Sequence, residues 1–204
     1  MTAPPSALIL DFGGVLTTDF WACLRAFEQR EGLAPGALVD LVTHDPAGHR
    51  LICDLERGAI GQAVFERRVG DRLGVDPAGL LARMAADLRP DKEMLDLAAE
   101  LRAGGVRVAV LSNSWGSDYF DPYAPWQLDD LADVVVISDR VGLRKPDPQI
   151  FTLTVERLGV PAGACVFVDD IAAYLVPAAA FGMRVLHHTD TARTVPALRA
   201  AFNP

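Results

Sequence analysis

Long apolar stretches are missing from this chain of 204 residues. The apolar runs around Ala7–Leu10 and Val134–Ile137 are short, whereas a membrane-spanning helix needs roughly 20 such residues. The opening segment MTAPPSALIL has no basic part, and Asp11 interrupts its apolar run before a secretory signal could be completed. We therefore expect a cytoplasmic protein with no membrane span and no secretion signal.

The chain also has fewer positively charged than negatively charged residues. Lysine and arginine total 19 against 27 aspartates and glutamates, which gives a formal net charge of −8. Such a chain repels duplex nucleic acid and anionic membrane surfaces, so neither is an expected partner. An anionic substrate would need a bound cation or a local basic group to receive it.

Cysteine is scarce, and its positions suggest no covalent framework. Cys23, Cys53 and Cys165 are odd in number, widely spaced and outside any CxxC pattern. This usage is typical of buried thiols in a reducing compartment and argues against a disulfide scaffold or a zinc site.

The chain does have the composition of a globular protein, with 50% hydrophobic and 23% charged residues. Short apolar runs predict buried strands at 7–10, 106–111, 134–137, 166–168 and 184–186. Amphipathic segments predict helices at 91–103, 149–158, 171–181 and 191–202. This alternation indicates an α/β fold, with a Rossmann-like parallel sheet covered by helices on both faces.

Residues 17–89 have a different pattern. They contain amphipathic helical segments interrupted by glycine and proline, with no strand-like run. We interpret them as a small all-helical cap domain inserted after the first strand. Residues 1–16 and 90–204 then form the α/β core domain.

Polar side chains stand where three of the predicted strands end. Asp11 follows the first strand, Ser112 the second, and the pair Asp169 and Asp170 the fourth. Ligands of open parallel sheets bind beyond the carboxyl ends of the strands, so we expect these residues in one crevice. Three adjacent carboxylates raise one another's pKa, and a hard divalent cation such as Mg²⁺ relieves that conflict. Lys145, in the loop after the third strand, could hold a phosphoryl oxygen.

Each of these signals has an ordinary structural alternative. An aspartate after a strand is commonly a turn former or a helix N-cap, and Asp169-Asp170 could cap the helix that follows. A lysine before a proline is commonly a loop residue. The occurrence of all four signals in order within one α/β pattern favours a functional site.

The segments LILDFGGVL, VAVLSNS, VGLRKPDPQIF and VFVDDIAAYLVPAAAFGM follow one another along the chain. Together they resemble the four motifs of the haloacid dehalogenase superfamily of phosphotransferases and phosphatases, over essentially the whole chain. The segment LERGAIGQAVFERRVGDRLGV is similar to the small helical cap of the branch that includes the N-terminal phosphatase domain of soluble epoxide hydrolase. The resemblance implies an HAD-like fold and a Mg²⁺-dependent phosphomonoester hydrolase acting on a small phosphorylated substrate.

The resemblance also implies catalytic and substrate-binding roles. Asp11 would be the nucleophile that forms an aspartyl-phosphate, which water then hydrolyses. Ser112 and Lys145 would bind the oxygens of the transferring phosphoryl group. Asn113 would belong to the substrate-binding loop and support it through its amide, with an ordinary strand-end turn as the alternative.

The implied magnesium ligands are Asp11, the carbonyl of Gly13 and Asp170, with Asp169 acting directly or through water. Gly13 is also a departure, because the family commonly has there a second aspartate that serves as the general acid and base. Its loss removes help that is typically worth ~10²–10⁴ in rate. Asp19 could substitute, although a helix N-cap is its expected role.

A second departure is Tyr174, where the family commonly has asparagine; its ring could pack under the cap instead. The departure at Gly13 leaves open an alternative function, a non-catalytic module that binds phosphate or a metabolite. A 2-haloacid dehalogenase is disfavoured, because such enzymes dispense with the metal and the Asp169-Asp170 pair is intact here.

The motifs do not identify the leaving group. Aromatic residues in segments that could line the mouth of the crevice are Trp21, Phe27, Trp115, Tyr119, Tyr123 and Trp126. They favour an apolar or ring-bearing leaving group, or else they attach the cap to the core. Sugar phosphates, lipid-like phosphates and flavin mononucleotide all stay open, as does the oligomeric state. His187 and His188, after the last strand, could edge the site or be structural.

Overall fold

A computed structural model of the chain describes residues 4–202. Its strands are β1 (Ala7–Leu10), β2 (Arg107–Ser112), β3 (Val134–Ile137), β4 (Cys165–Asp169) and β5 (Arg184–His187). They form one parallel sheet in the order β3-β2-β1-β4-β5. The predicted α/β fold with a Rossmann-like sheet is confirmed. Strands β2, β4 and β5 each end one residue later than predicted, because Ser112 and Asp169 still pair with the neighbouring strands.

Helices precede and follow these strands along the chain. Those between β1 and β2 are α1 (Phe20–Arg30), α2 (Ala37–Thr43), α3 (Pro46–Glu56), α4 (Gln62–Leu73), α5 (Leu80–Met84) and α6 (Lys92–Ala103). Those after β2 are α7 (Leu128–Leu131), α8 (Ser138–Val141), α9 (Pro148–Leu158), α10 (Ala172–Ala180) and α11 (Thr191–Phe202). The four predicted helices are confirmed to within one residue at each end. Asp91 is the N-cap of α6, where its carboxylate accepts from the N–H of Met94 (3.1 Å).

The period-two alternation of the strands divides the sheet into two buried faces. On one face, Leu8 and Leu10 belong to a core completed by side chains of α6 and α11. On the other face, Ile9 and Phe167 belong to a core completed by side chains of α9 and α10. Since both faces are covered, the polar residues of the sheet are confined to its edges and strand ends.

The segment from α1 to α5, which we call the helical insertion, has a hydrophobic core of its own. Phe27, Leu55, Phe65 and Leu81 are among its buried members. Its two connections to the rest of the chain run side by side, because residues 17 and 90 form an antiparallel bridge. The division into a cap domain (17–89) and a core domain stays a prediction.

Two further features concern membrane-spanning helices and the cysteines. Within residues 4–202, no helix has the combination of length and apolar character that crossing a bilayer requires. Cys23 and Cys165 are buried and Cys53 is half-buried, and all three are free thiols.

Candidate active site

Residues from three neighbouring strands meet at the carboxyl edge of the sheet. Asp11 directly follows β1, Ser112 ends β2 and Asp169 ends β4. The N–H of Asp11 donates to the carbonyl of Val168 (3.0 Å), so the sheet ladder fixes Asp11 beside the end of β4. Because β1 lies between β2 and β4, these side chains occupy the centre of the edge.

The carboxylates of Asp11, Asp169 and Asp170 form a cluster in which one oxygen of each lies within 4.8 Å of the others. Burial raises the pKa of Asp11 well above its ordinary value; Lys145 opposes this rise, and the charges of Asp169 and Asp170 add to it. Burial and the charge of Asp169 also raise the pKa of Asp170 to about 6. The cluster is therefore costly to ionise unless a cation shares it.

Lys145 supplies a fixed positive charge to this cluster. Its Nζ lies 2.8 Å from Oδ1 of Asp11 and 2.7 Å from Oδ2 of Asp169, and the side chain is fully buried. Burial alone would lower the pKa of Lys145, but the charges of Asp11 and Asp169 outweigh burial and raise it. Lys145 is therefore an ammonium, and one of its three N–H donors remains for a ligand oxygen.

The acidic cluster fits a hard divalent cation. Its donors are carboxylate oxygens, which Mg²⁺ prefers, and Asp11, Asp169 and Asp170 would hold the ion together with the Gly13 carbonyl that the sequence suggests. Gly14, which the sequence reasoning missed, lets the loop approach this cluster. Its φ is +78°, and a Cβ there would come within 2.8 Å of Oδ2 of Asp170. Both the backbone angle and the close contact require glycine.

Ser112 and Asn113 have different partners. Oγ of Ser112 shares a hydrogen bond with the hydroxyl of the buried Tyr123 (2.8 Å). The Asn113 amide binds the main chain of Lys145 on both sides. Its Oδ1 accepts from the Lys145 N–H (2.8 Å), and its Nδ2 donates to the Lys145 carbonyl (3.1 Å). Asn113 therefore fixes the backbone from which the Lys145 ammonium extends.

The helical insertion contributes a buried carboxylate that the sequence reasoning also missed. Glu56, the last residue of α3, accepts from Nε of Arg144 (2.5 Å) and from Nδ2 of Asn113 (3.3 Å). Burial raises the pKa of Glu56, and the charge of Arg144 opposes that rise. The Tyr174 hydroxyl lies 3.4 Å from Nη2 of Arg144, so the residue that replaces the usual asparagine joins the same group. Little in the sequence could have predicted this pair, because Glu56 and Arg144 are 88 residues apart.

Gly13, at the position where the family commonly has the aspartate that acts as acid and base, has an apolar neighbour. A Cβ added at Gly13 would lie 3.8 Å from the ring of Phe20, which is ordinary van der Waals contact. Asp19 is the N-cap of α1, as expected, and accepts from the N–H of Ala22 (3.0 Å). It also pairs with Arg25 at the surface (3.1 Å). In this structure Asp19 is thus occupied by capping.

A cavity opens onto the polar residues of the site. Its polar floor is formed by Asp11, Ser112, Asn113, Lys145 and Asp170, and its other lining residues include Phe20, Trp115, Tyr123 and Tyr174. Of the aromatic residues that the sequence suggested for the mouth, Phe27 and Tyr119 do not line this cavity. Phe27 is fully buried within the insertion, and Tyr119 is 57% exposed. His187 Nε2 donates to the carbonyl of Asp170 (2.9 Å), so His187 edges the acidic loop through the main chain.

Comparison with known proteins agrees with this geometry. The profile of the haloacid dehalogenase-like hydrolase family matches residues 5–182. The chain therefore belongs to this family of hydrolases, and the resemblance drawn from its motifs is confirmed.

Its relatives include proteins of several lengths. The chain is 29% identical to the sesquiterpene phosphatase astK of Aspergillus oryzae, over 95% of this chain and 94% of that protein. It is 39% identical to the phosphatase MT3486 of Mycobacterium tuberculosis over 48% of this chain and 43% of that protein. It is also 34% identical to bifunctional epoxide hydrolase 2 of Sus scrofa, over 48% of this chain and 19% of that protein.

Solved structures share the fold. A predicted HAD-like family hydrolase from Porphyromonas gingivalis superimposes with a TM-score of 0.76 at 20% identity, covering 99% of this chain and 100% of that one. A HAD family enzyme from Bacteroides thetaiotaomicron, in complex with magnesium and inorganic phosphate, gives a TM-score of 0.69 at 23% identity. That match covers 93% of this chain and 98% of the other.

Proposed function

We propose that this protein is a Mg²⁺-dependent phosphomonoester hydrolase that acts on a small phosphorylated molecule through an aspartyl-phosphate. The observation that carries the proposal is the buried Lys145, which contacts both Asp11 and Asp169 at the floor of an open cavity. The names of two relatives, a sesquiterpene phosphatase and the phosphatase MT3486, support the reaction class. The magnesium and phosphate bound by the B. thetaiotaomicron enzyme support the cofactor.

Asp11 has the geometry of a nucleophile. Its Oδ1 accepts from the N–H of Phe12 (2.7 Å) and from Lys145 (2.8 Å), which leaves Oδ2 for attack. In the first step an Asp11 oxygen bonds to phosphorus as the bond from phosphorus to the ester oxygen breaks. In the second step water attacks that phosphorus, which releases phosphate and restores the carboxylate.

The other residues hold the transferring group. The Lys145 ammonium and the Ser112 hydroxyl bind phosphoryl oxygens, where charge stabilisation supplies most of the rate enhancement. Mg²⁺ held by Asp11, Asp169, Asp170 and the Gly13 carbonyl would neutralise further phosphoryl charge. Asn113 acts as a positioning residue through the Lys145 backbone.

The departing alkoxide takes its proton from solvent in this scheme, because Gly13 has no side chain to supply one. Esters whose leaving group is stable as an anion are then favoured over alkyl esters. The substitution weakens catalysis on poor leaving groups without removing the nucleophile.

We further propose that residues 17–89 form a cap over the core made by 1–16 and 90–204. Glu56 pairs with Arg144 across the site. The amide of Gln62 donates to the carbonyls of Trp115 and Phe120 in the loop after β2. These contacts support a cap beside the cavity, where it would exclude water from the reacting phosphoryl group.

Hydrolysis of p-nitrophenyl phosphate with and without Mg²⁺ tests the reaction. Nitrophenolate leaves without a proton, so this ester reports on the nucleophile and the metal and is insensitive to the missing acid. We expect turnover that requires both Mg²⁺ and Asp11. Absence of turnover in a folded protein that still binds Mg²⁺ would favour the alternative, a non-catalytic phosphate-binding module.

A further inference from the structure

We propose that the ester oxygen of the substrate carries an elongated apolar chain, which lies in a groove leading away from the active site. This inference rests on the proposed phosphatase function and names its substrate class. The groove runs between the end of the helical insertion and the loop that follows β2.

The groove is continuous with the catalytic cavity. Ala85, Leu88 and Pro122 line both the cavity over Asp11 and an adjoining cavity. The remaining residues of the adjoining cavity are Ala82, Ala86, Pro90, Phe120, Asp121, Pro125 and Trp126. The part above the carboxylates is small, about 100 Å³, whereas the adjoining part is about 400 Å³. A phosphoryl group fits the first, and the second is the larger space next to it that can receive the remainder of the substrate.

The packing of Phe12 connects the nucleophile to this groove. Phe12 directly follows Asp11, and its ring makes an edge contact with the ring of Trp126 at 5.0 Å between centroids. Trp126 lines the groove and Phe12 lines the catalytic cavity. An apolar wall therefore extends from the residue beside the nucleophile to the outer groove.

The polarity of the lining selects against other leaving groups. Among the described residues that line the adjoining cavity, Asp121 is the one charged side chain, and the indole N–H of Trp126 is the one other polar side-chain group. Oδ1 of Asp121 already accepts from the N–H of Tyr123 (2.8 Å). A sugar or ribose with several hydroxyls would therefore find few partners here in exchange for the water that it gives up.

The distribution of positive charge points the same way. Among residues 4–202, Lys145 is the only cationic side chain that lines either cavity, and it is already engaged by Asp11 and Asp169. A second phosphate or a carboxylate on the substrate would find no counter-charge along this path. The occupant that the lining fits is the hydrocarbon part of an alcohol phosphate with a single anionic group.

The test is a homologous series of n-alkylphosphonates, from ethyl to decyl, kept below their micelle concentrations. Their carbon–phosphorus bond is not hydrolysed, so binding is read independently of turnover. Dissociation constants are measured by calorimetry with Mg²⁺ present, and inhibition constants against p-nitrophenyl phosphate. We expect affinity to rise by about two- to fourfold per methylene until the groove is filled, the upper value being that of one fully buried methylene.

A matched pair of variants locates the effect. Ala82→Glu places a charge in the groove, and Ala63→Glu places the same charge on another exposed helical alanine outside either cavity. Ala82→Glu should reduce the ratio of octyl to butyl affinity at least fivefold, whereas Ala63→Glu should leave that ratio unchanged.

This experiment distinguishes a failure of the groove proposal from a failure of the hydrolase proposal. Affinity that does not increase with chain length, in a protein that hydrolyses p-nitrophenyl phosphate, would overturn the groove inference alone. Equal loss of octyl affinity in Ala63→Glu and Ala82→Glu would also overturn it. Chain-length-dependent binding without any turnover would support the groove and overturn the hydrolase proposal.

Discussion

Asp11 combines a raised pKa with a fixed orientation, and both follow from its position after the central strand. Asp11→Asn keeps the shape of the side chain and removes the proposed nucleophile. We expect kcat for p-nitrophenyl phosphate to fall by about 10⁴-fold or more, with the fold retained. Steady-state kinetics measures the fall in kcat, and thermal unfolding checks that the fold is retained.

The matched control is Asp19→Asn, which alters an exposed aspartate at a helix N-cap where asparagine caps equally well. Its turnover should stay within about twofold of the wild type, as expected of surface changes. Retained activity of Asp11→Asn with the same metal dependence would show that another residue attacks phosphorus.

Gly13 sets the leaving-group preference in the proposed mechanism. The space beside it accepts a side chain, since the nearest atoms to an added Cβ are those of Phe20 at 3.8 Å. Gly13→Asp should raise hydrolysis of alkyl phosphates by at least about tenfold, because a general acid is restored, and leave p-nitrophenyl phosphate nearly unaffected.

Gly13→Asn is the matched control, because it has the same shape and cannot donate a proton as an acid does. A gain shared by both variants would assign the effect to packing. No gain in a folded Gly13→Asp variant would mean that another group already protonates the leaving oxygen.

At the scale of elements, helix α3 is joined to the core by the ion pair between Glu56 and Arg144. These residues are 8% and 7% exposed, so each depends on the other for its charge. Glu56→Gln or Arg144→Met alone should lower the free energy of unfolding by about 3 kcal/mol, since removal of one partner leaves a buried charge without a counter-ion.

The double variant should lose less than the sum of the two single variants, and urea unfolding of all four proteins measures this coupling. Additive losses would show that the pair does not connect the insertion to the core. The pair should also affect the site itself, because Asn113 binds both Glu56 and the Lys145 backbone.

The elements themselves followed closely from sequence periodicity. Strands β1 to β4 were predictable because most of their residues are buried on both faces, which produces continuous apolar runs. Asp11, Ser112, Asp169 and Asp170 were recognisable because they end such runs. Glu56 was not, because a glutamate near the end of an amphipathic helix is ordinarily solvent-exposed, and only tertiary packing brings it to Arg144.

The role of Gly14 and the apolar groove could not be predicted from the sequence, for a related reason. The close approach of Gly14 to Asp170 depends on the relative position of two loops. The groove is built from segments about forty residues apart, near 85 and 122. Local patterns report on which residues a segment buries, whereas the partner of a side chain is set by the assembled fold.

At the scale of the whole molecule, we expect the acidic cluster to link the free energy of unfolding to pH and to Mg²⁺. The pKa of Asp170 is about 6 in the folded protein, above its ordinary value, so the metal-free protein binds this proton more tightly when folded. This contribution to stability is present at low pH and is lost as pH rises through about 6.

We expect Asp170→Asn to be more stable than the metal-free wild type at pH 7.5, by on the order of 2 kcal/mol, and to show a smaller difference at pH 4. Mg²⁺ should stabilise the wild type more than the variant at pH 7.5. Urea titrations at both pH values, with Mg²⁺ or a chelator, test this. Equal effects of Mg²⁺ on both proteins would place the cation elsewhere.

The two connections of the helical insertion lie side by side, which affects how the insertion can be changed in length or replaced. The Thr18 N–H donates to the Arg89 carbonyl (2.8 Å), and the Asp91 N–H donates to the Leu16 carbonyl (2.9 Å). Entry and exit are therefore about 5 Å apart, the spacing of adjacent strands, and a tight turn could join them. The insertion can be lengthened, shortened or exchanged through this one junction without moving Asp11, Ser112 or Asp169. In the proposed scheme, the insertion's share of the substrate surroundings can therefore change through this junction while the residues at the strand ends keep their positions.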